Sequence, residues 1–206
     1  MNLLTKTVTV LTLCLWPLSL FLSNSFKDIG NDLKNYYHFS IFAPDNQAPL
    51  IISTKRSIYQ SDLLGRLYNN KATFIWGRFK SNFFAIVDPN NYFFGFHPRE
   101  IVRENLNIEK FPFISIFFFL YAIYRIKAFK GAGLLVAVFL VLTVLLSLAN
   151  FDKVDFILYP VLAGFMIRGI TSMSEEKPKF FLTVSFLLIL FAIPQYLRVF
   201  VNLLHQ

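Results

Sequence analysis

Two cations in the first half of the chain have a spacing that could support binding chemistry. Lys71 and Arg78 are seven residues apart, so a helix places them on the same side, two turns from each other. Two cations on an otherwise apolar helix side can hold a lipid-linked phosphate. They can equally lay their aliphatic stems on apolar surface and extend their charges to the head groups. The sequence leaves both interpretations open.

The densest cluster of polar and aromatic residues runs from Asp88 to Glu100. Its Asp-Pro-Asn-Asn start is typical of a turn, because aspartate caps the backbone and proline presets φ. His97 could transfer a proton, Arg99 could bind an anion, and Asp88 or Glu100 could act as a carboxylate base. The candidate catalytic residues are therefore Asp88, Glu100 and His97, and Arg99 joins the two earlier cations as a candidate for phosphate binding. The alternative is a surface turn in which Arg99 and Glu100 pair with neighbouring charges.

Other familiar chemistry is absent from the sequence. There is no phosphate-binding GxxxxGK[ST] or GxGxxG loop and no GxSxG nucleophile elbow. Cys14 is the single cysteine and the three histidines are far apart, so no metal site and no cofactor are expected. The net charge of +8 is dispersed along the chain, which argues against nucleic acid as a partner.

The elements that would position the two cations are amphipathic helices. At the helical period of 100° per residue, the pattern of residues 61–87 predicts one or two helices with an apolar side. Lys71 and Arg78 fall on that same side. That apolar side consists of Leu64, Leu67, Tyr68, Ile75, Phe79 and Ile86. The aromatic residues that follow Asp88 are expected to form a short strand or a loop that dips into a membrane.

The composition indicates which solvent this chain meets. Of 206 residues 55% are hydrophobic and only 16% are charged, whereas an average soluble domain carries roughly 25% charge. The 26 phenylalanines add to the apolar excess. We therefore expect an all-α polytopic membrane protein of about five transmembrane helices. Its apolar runs are 8–22, 111–124, 131–148, 156–167 and 180–201.

The first apolar run is either a signal anchor or a cleavable signal peptide. Two prolines, Pro160 and Pro194, are expected to kink or break their helices. Loop charges predict the orientation, since cytoplasmic loops are rich in Lys and Arg. The connection at 125–130 has three bases and no acid, and the one around 168–179 holds Arg168, Lys177 and Lys179, whereas 150–155 has two acids and one base. The prediction is a cytoplasmic N-terminus, with 26–110, 150–155 and the C-terminus outside.

Three regions follow from this pattern: a leader at 1–25, an extracytoplasmic segment at 26–110 and a four-helix transmembrane region at 111–206. The middle region holds 11 Lys/Arg and 8 Asp/Glu yet stays rich in aromatic residues. This mixture favours a mainly helical segment that lies at the membrane interface. Asp152 and Asp155 are expected to keep their short loop out of the lipid, and they would also face any cavity that opens there.

A family resemblance is carried by a series of turn and aromatic stretches. They are Ser40-Ile41-Phe42, 64–71, Lys80-Ser81-Asn82-Phe83-Phe84, Asp88-Pro89-Asn90, Tyr92-Phe93-Phe94-Gly95, Phe111-Pro112-Phe113, and later Tyr159-Pro160 and Gly164. The series resembles the large extracytoplasmic region and last helices of prokaryotic GT-C membrane glycosyltransferases. These include the protein mannosyltransferase and aminoarabinose transferase families (glycosyltransferase family 39-like). The resemblance covers about residues 36–170.

The resemblance implies an all-helical membrane fold and a polyprenyl-phosphate carrier as ligand. Asp28 and Asp32 do not form that family's paired acidic motif, and the N-terminal catalytic half has no counterpart here. We therefore expect an integral protein of the cell membrane that is non-catalytic on its own. It would serve as an accessory or lipid-carrier-binding component of cell-envelope glycan metabolism. The alternatives are an active polyprenyl-phosphate-sugar-dependent glycosyltransferase, and a structural or assembly protein that binds another membrane protein.

Overall fold

The computed structural model describes residues 3–22, 25–59, 61–94 and 110–204. Across these residues the fold is all-α, with ten α-helices, no β-sheet and one isolated bridge between Ser40 and Ala149. The helices are α1 (Leu3–Leu22), α2 (Ser25–Asn35), α3 (Ala48–Arg56), α4 (Asp62–Tyr68), α5 (Lys71–Val87), α6 (Asn90–Phe93), α7 (Ile116–Tyr124), α8 (Ala132–Ser147), α9 (Tyr159–Glu176) and α10 (Pro178–Leu204). The all-helical prediction is confirmed.

Helix α9 is the centre of the fold. It packs against α7, α1, α10 and α8, and it buries most of its apolar side chains. Its closest approach is to α7, because Gly169 lies directly against the Phe118 backbone. A side chain there would collide with the Phe118 carbonyl oxygen, so glycine permits this packing distance.

The sequence pattern and α9 differ in two details. The apolar run ended at residue 167, whereas the helix continues through Arg168 to Glu176. Pro160 was expected to kink or break its helix, and it stands at the start of α9. It lies in the first turn, where the missing N–H has no intrahelical partner to lose. Pro194, in contrast, lies inside α10, which extends on both sides of it.

The segment that contains α9 also has the length and composition of a membrane span. Among the described residues one segment, Lys153–Glu176, is long and apolar enough to cross a membrane, and about half of it is buried inside the protein. The other apolar helical stretches are shorter: Leu3–Leu15, Phe113–Tyr124, Ala132–Ser147 and Pro178–Pro194. The number of spans predicted from the sequence therefore stays a prediction.

Ion pairs gather several chain segments at one end of the fold, which we call the Glu176 end. Lys6 Nζ lies 3.5 Å from Glu175 Oε1, which brings the start of α1 to the end of α9. Arg125, just after α7, pairs with Glu176, and Tyr121 donates to the same carboxylate at 2.9 Å. The start of α1 thus lies beside the connections around 125 and 177.

Helix α8 runs from that end to the opposite one, which we call the Asn82 end. There the Asn82 side-chain amide donates to the Ser147 and Ala149 carbonyls at 3.2 and 3.1 Å. These carbonyls belong to the last residue of α8 and to the turn after it, where carbonyls lack an intrahelical partner, so Asn82 of α5 acts as an external cap. The extended segment at 39–41 pairs with the same turn, because the Ile41 N–H donates to the Leu148 carbonyl at 3.0 Å.

The aromatic stretch after Asp88 is neither a strand nor a membrane-dipping loop in its described part. Residues Asn90–Phe93 form α6, and Asn91, Tyr92 and Phe93 are buried. Tyr92 packs edge-on against Tyr159, and Phe93 packs against Phe111. Burial of these rings against the central bundle decides the local structure, and it joins the region before residue 110 to the same hydrophobic core as the last helices.

Candidate functional site

A surface groove of about 530 Å³ lies between α3, α5 and the segment that precedes α3. Pockets that bind small molecules are typically about 300–1,000 Å³, so this groove has a suitable size. Its walls are mostly apolar, with Ile41, Phe42, Ile52, Phe74 and Ile75 among them. Four charged side chains, Asp45, Arg56, Lys71 and Arg78, also line it.

Local hydrogen bonds fix the elements that present these charges. The Asn70 side chain accepts from the Thr73 N–H at 3.0 Å, and the Thr73 hydroxyl accepts from the Asn70 N–H at 3.0 Å. This reciprocal capping box starts α5 at Lys71 and breaks the predicted 61–87 segment into two helices. Before α3, Asp45 Oδ1 accepts from the Gln47 N–H at 2.8 Å, which forms an Asx turn.

Arg78 and Asp45 form an ion pair inside the groove. The side chains are 28% and 22% exposed respectively, so the pair is partly withdrawn from water. The Arg78 guanidinium also lies over the Phe74 ring, 4.5 Å from its centroid. The Gln47 N–H bond, and then Arg78, hold the pKa of Asp45 below its usual value. Asp45 is therefore a carboxylate at neutral pH, and it balances the charge of Arg78.

The other two cations of the groove are arranged differently. Arg56, at the end of α3, donates through Nε to the Asn69 carbonyl at 2.6 Å, which ties its guanidinium to the connection between α4 and α5. Lys71 is exposed in the first turn of α5. Among the described residues no carboxylate lies within ion-pair distance of Arg56 or Lys71. Within the part of the chain that the structure describes, these two charges line the groove without an ion-pair partner.

Two of the site residues predicted from the sequence lie together in the groove, and Asp88 lies apart from them. Lys71 and Arg78 line the same groove, as their spacing on one helix side predicted. Asp88 is at the other end of α5, about 25 Å from Lys71 along the helix axis. It accepts from the Asn90 N–H at 2.9 Å, which is the turn role that its sequence context predicted. His97, Arg99 and Glu100 lie outside the described residues.

Asp155 differs from its expected surface role. It is only 3% exposed, and it accepts a 2.9 Å hydrogen bond from the Asn91 side chain. Nearby in sequence, Lys153 is also buried and donates to Asp32 at 2.5 Å. These polar groups hold α6 and α2 against the bundle, so the 150–155 segment is a packing centre as well as a connection.

Two groove residues, Asp45 and Arg56, were missed by the sequence reasoning. Asp45 precedes Arg78 by 33 residues, and no periodicity relates positions so far apart. A weak signal did exist, because Asp45-Asn46-Gln47 ahead of Pro49 has the composition of a capped helix start. That signal predicts the turn but not the partner of its carboxylate.

The groove combines an apolar lining with two cations and one neutralised ion pair. This arrangement can bind an anionic group attached to an apolar chain, and none of its side chains is a nucleophile placed beside a base. Among the described residues no group of three or more His, Cys, Asp or Glu side chains could hold a metal ion. The chain matches no protein-family model, no curated protein and no solved structure.

Proposed function

We propose that the protein is integral to the cell membrane and binds the phosphate group of a polyprenyl-phosphate-type lipid in the groove. In this proposal it is a non-catalytic accessory component of cell-envelope glycan metabolism, related to the C-terminal half of GT-C glycosyltransferases. The observation that carries the proposal is the groove itself, in which Arg56 and Lys71 stand in a mostly apolar lining and no carboxylate of the described residues lies within ion-pair distance of either.

Outward-facing apolar side chains support a membrane location. Helices α7, α8 and α10 each expose large hydrophobic residues on the side turned away from α9, and Leu134 and Phe186 are 72% and 66% exposed. An apolar surface of this extent is unfavourable in water and favourable in lipid. It supports the five-span arrangement, with α9 shielded by its neighbours and the shorter helices facing the acyl chains.

The position of the groove supports a lipid ligand. Ile41 and Phe42 line it, and Ile41 is hydrogen-bonded to Leu148 at the end of α8. With α8 in the membrane, the groove lies at head-group depth, where a lipid phosphate is found. The bases at 125–130 and around 168–179 support, under the positive-inside rule, a cytoplasmic location for the Glu176 end and an outer location for the groove.

The chemistry of the two cations fits a phosphate. Lys71 lies in the first turn of α5, where the helix dipole adds to its positive charge. Arg56 contributes a planar donor that matches phosphate geometry. Carrier binding without catalysis fits the placement of Asp88, which is a turn residue remote from both cations.

A role in assembly with another membrane protein is the second candidate. It is favoured by the exposed apolar side of α4, where Leu63 and Leu67 are 73% and 60% exposed. An active glycosyltransferase is the third, and it depends on whether His97 and Glu100 approach the groove.

Native mass spectrometry of the detergent-purified protein tests the proposal. We expect a polyprenyl phosphate to copurify with the wild type, and Lys71→Gln and Arg56→Gln to reduce its occupancy at least tenfold. The matched controls are Lys80→Gln on the same helix as Lys71 and Lys55→Gln beside Arg56. Both control lysines are exposed and outside the groove, so these variants should retain the lipid.

Two results would contradict the proposal. One is a stoichiometric protein partner without any bound lipid, which would favour the assembly role. The other is equal lipid occupancy in all four variants, which would mean that the lipid binds elsewhere on the apolar surface.

A further inference from the structure

We propose that Asp45 sets the specificity of the groove by limiting it to a ligand with a single phosphate group. This inference rests on the proposed function, since it concerns the same groove. Lys71 and Arg78 are about 10 Å apart along α5, so the groove has two ends, one with Lys71 and one with Arg78.

The two ends differ in their electrostatic character. At the first, Lys71 and Arg56 present two positive charges to a ligand. At the second, the Asp45 carboxylate pairs with Arg78 and cancels its charge. A second phosphate that extends from the first end toward Arg78 approaches the Asp45 carboxylate, and like charges repel. Repulsion of a competing ligand is an established source of specificity.

The local structure keeps this carboxylate in place. Asp45 Oδ1 accepts from the Gln47 N–H at 2.8 Å, and Oδ2 pairs with Arg78, so both oxygens are engaged. Rotation of the side chain away from the groove would break the Asx turn that precedes α3. Arg78 is also held by the Phe74 ring, so it does not move toward Lys71 to join a ligand there.

The test compares binding of farnesyl monophosphate and farnesyl diphosphate to the full-length protein in detergent by isothermal titration calorimetry. Asp45→Asn removes the charge and keeps an acceptor for the Gln47 N–H. It should raise diphosphate affinity at least tenfold and monophosphate affinity less than threefold. Asp45→Ser also keeps a side-chain acceptor for the turn, and it should likewise raise the affinity for the diphosphate. Addition of Arg78→Gln to Asp45→Asn should remove the gain.

A matched control is Asp62→Asn. Asp62 lies on α4 outside the groove and pairs with Arg66, so this variant makes the same change of charge without freeing Arg78. The inference is overturned if Asp45→Asn and Asp45→Ser leave the ratio of the two affinities at its wild-type value, or if Asp62→Asn changes it equally. If wild-type affinity for both ligands is absent or insensitive to Lys71→Gln, the proposed function itself fails.

Discussion

Substitution of Gly169 by alanine tests the packing of α9 against α7. A Cβ at this position would lie 1.9 Å from the Phe118 carbonyl oxygen and 2.7 Å from its carbonyl carbon. Real Cβ atoms stay beyond 3.0 Å, so the helices must separate by about 1.1 Å, the difference between 3.0 and 1.9 Å. The obstacle is backbone, which has no flexible end to move aside.

The expected cost follows from that separation. Overpacking a tight interface costs about 1–3 kcal/mol, and a gap of about 1 Å forfeits up to half of the dispersion attraction between facing atoms. Alanine recovers up to about 1 kcal/mol through its higher helix propensity. We expect a net loss of about 1–2 kcal/mol, and for a chain of this size each kcal/mol lowers Tm by about 2–4 °C.

Thermal unfolding in detergent, followed by circular dichroism, measures this effect, and two other glycines provide controls. At Gly164 the nearest atom to a new Cβ is the end of the Leu135 side chain at 3.2 Å, and at Gly133 nothing lies within 4 Å. Their alanine variants should match or exceed wild-type stability. The proposed packing is refuted if Gly169→Ala is as stable as Gly133→Ala.

Three further predictions concern the Asn82 cap, the membrane topology and the Asp45 carboxylate. Asn82→Ala removes hydrogen bonds to the end of α8 and should destabilise the protein by about 1–3 kcal/mol, measured by chemical unfolding; unchanged stability would show that the cap is dispensable. In a background without the native cysteine, we expect Ser61→Cys to react with a membrane-impermeant thiol reagent in intact cells and Lys130→Cys not to react. The reverse labelling pattern would indicate the opposite topology. Because the pKa of Asp45 is lowered in the folded state, its stabilising effect is present above the usual carboxyl pKa and is lost as pH falls through the folded value. The Tm difference between wild type and Asp45→Asn should therefore stay constant from about pH 5 to 8 and shrink below about pH 4, and a difference that vanishes near pH 7 would contradict this assignment.

The elements of this fold were largely predictable because they follow local periodicity. The run 131–148 closely matches α8, and the amphipathic pattern placed Lys71 and Arg78 on one side of α5. Prediction failed where a distant partner decides the outcome. Tyr92 is helical and buried because its ring packs against Tyr159 in the core. Nothing in the sequence around Tyr92 indicates that contact.

The candidate site also has a part that was predictable from local spacing and a part that depends on a distant residue. The two cations on α5 came from spacing on a single helix, whereas the acid that neutralises one of them comes from a turn 33 residues earlier. Charge pairs of that separation depend on how α3 folds back on α5. The role of the groove cations in phosphate binding stays a prediction until the lipid is measured.

The cap that Asn82 provides also has a consequence for the order of synthesis. Its partners at 147–150 emerge 65–68 residues later, which at about 5–20 residues per second is a delay of about 3–14 s. During that interval the inner surfaces of α5 and α6 have been made but their partner helices have not. The surfaces of α5 and α6 that face the later helices therefore stay uncovered for that interval, and the fold is complete only when residues 147–150 have been made.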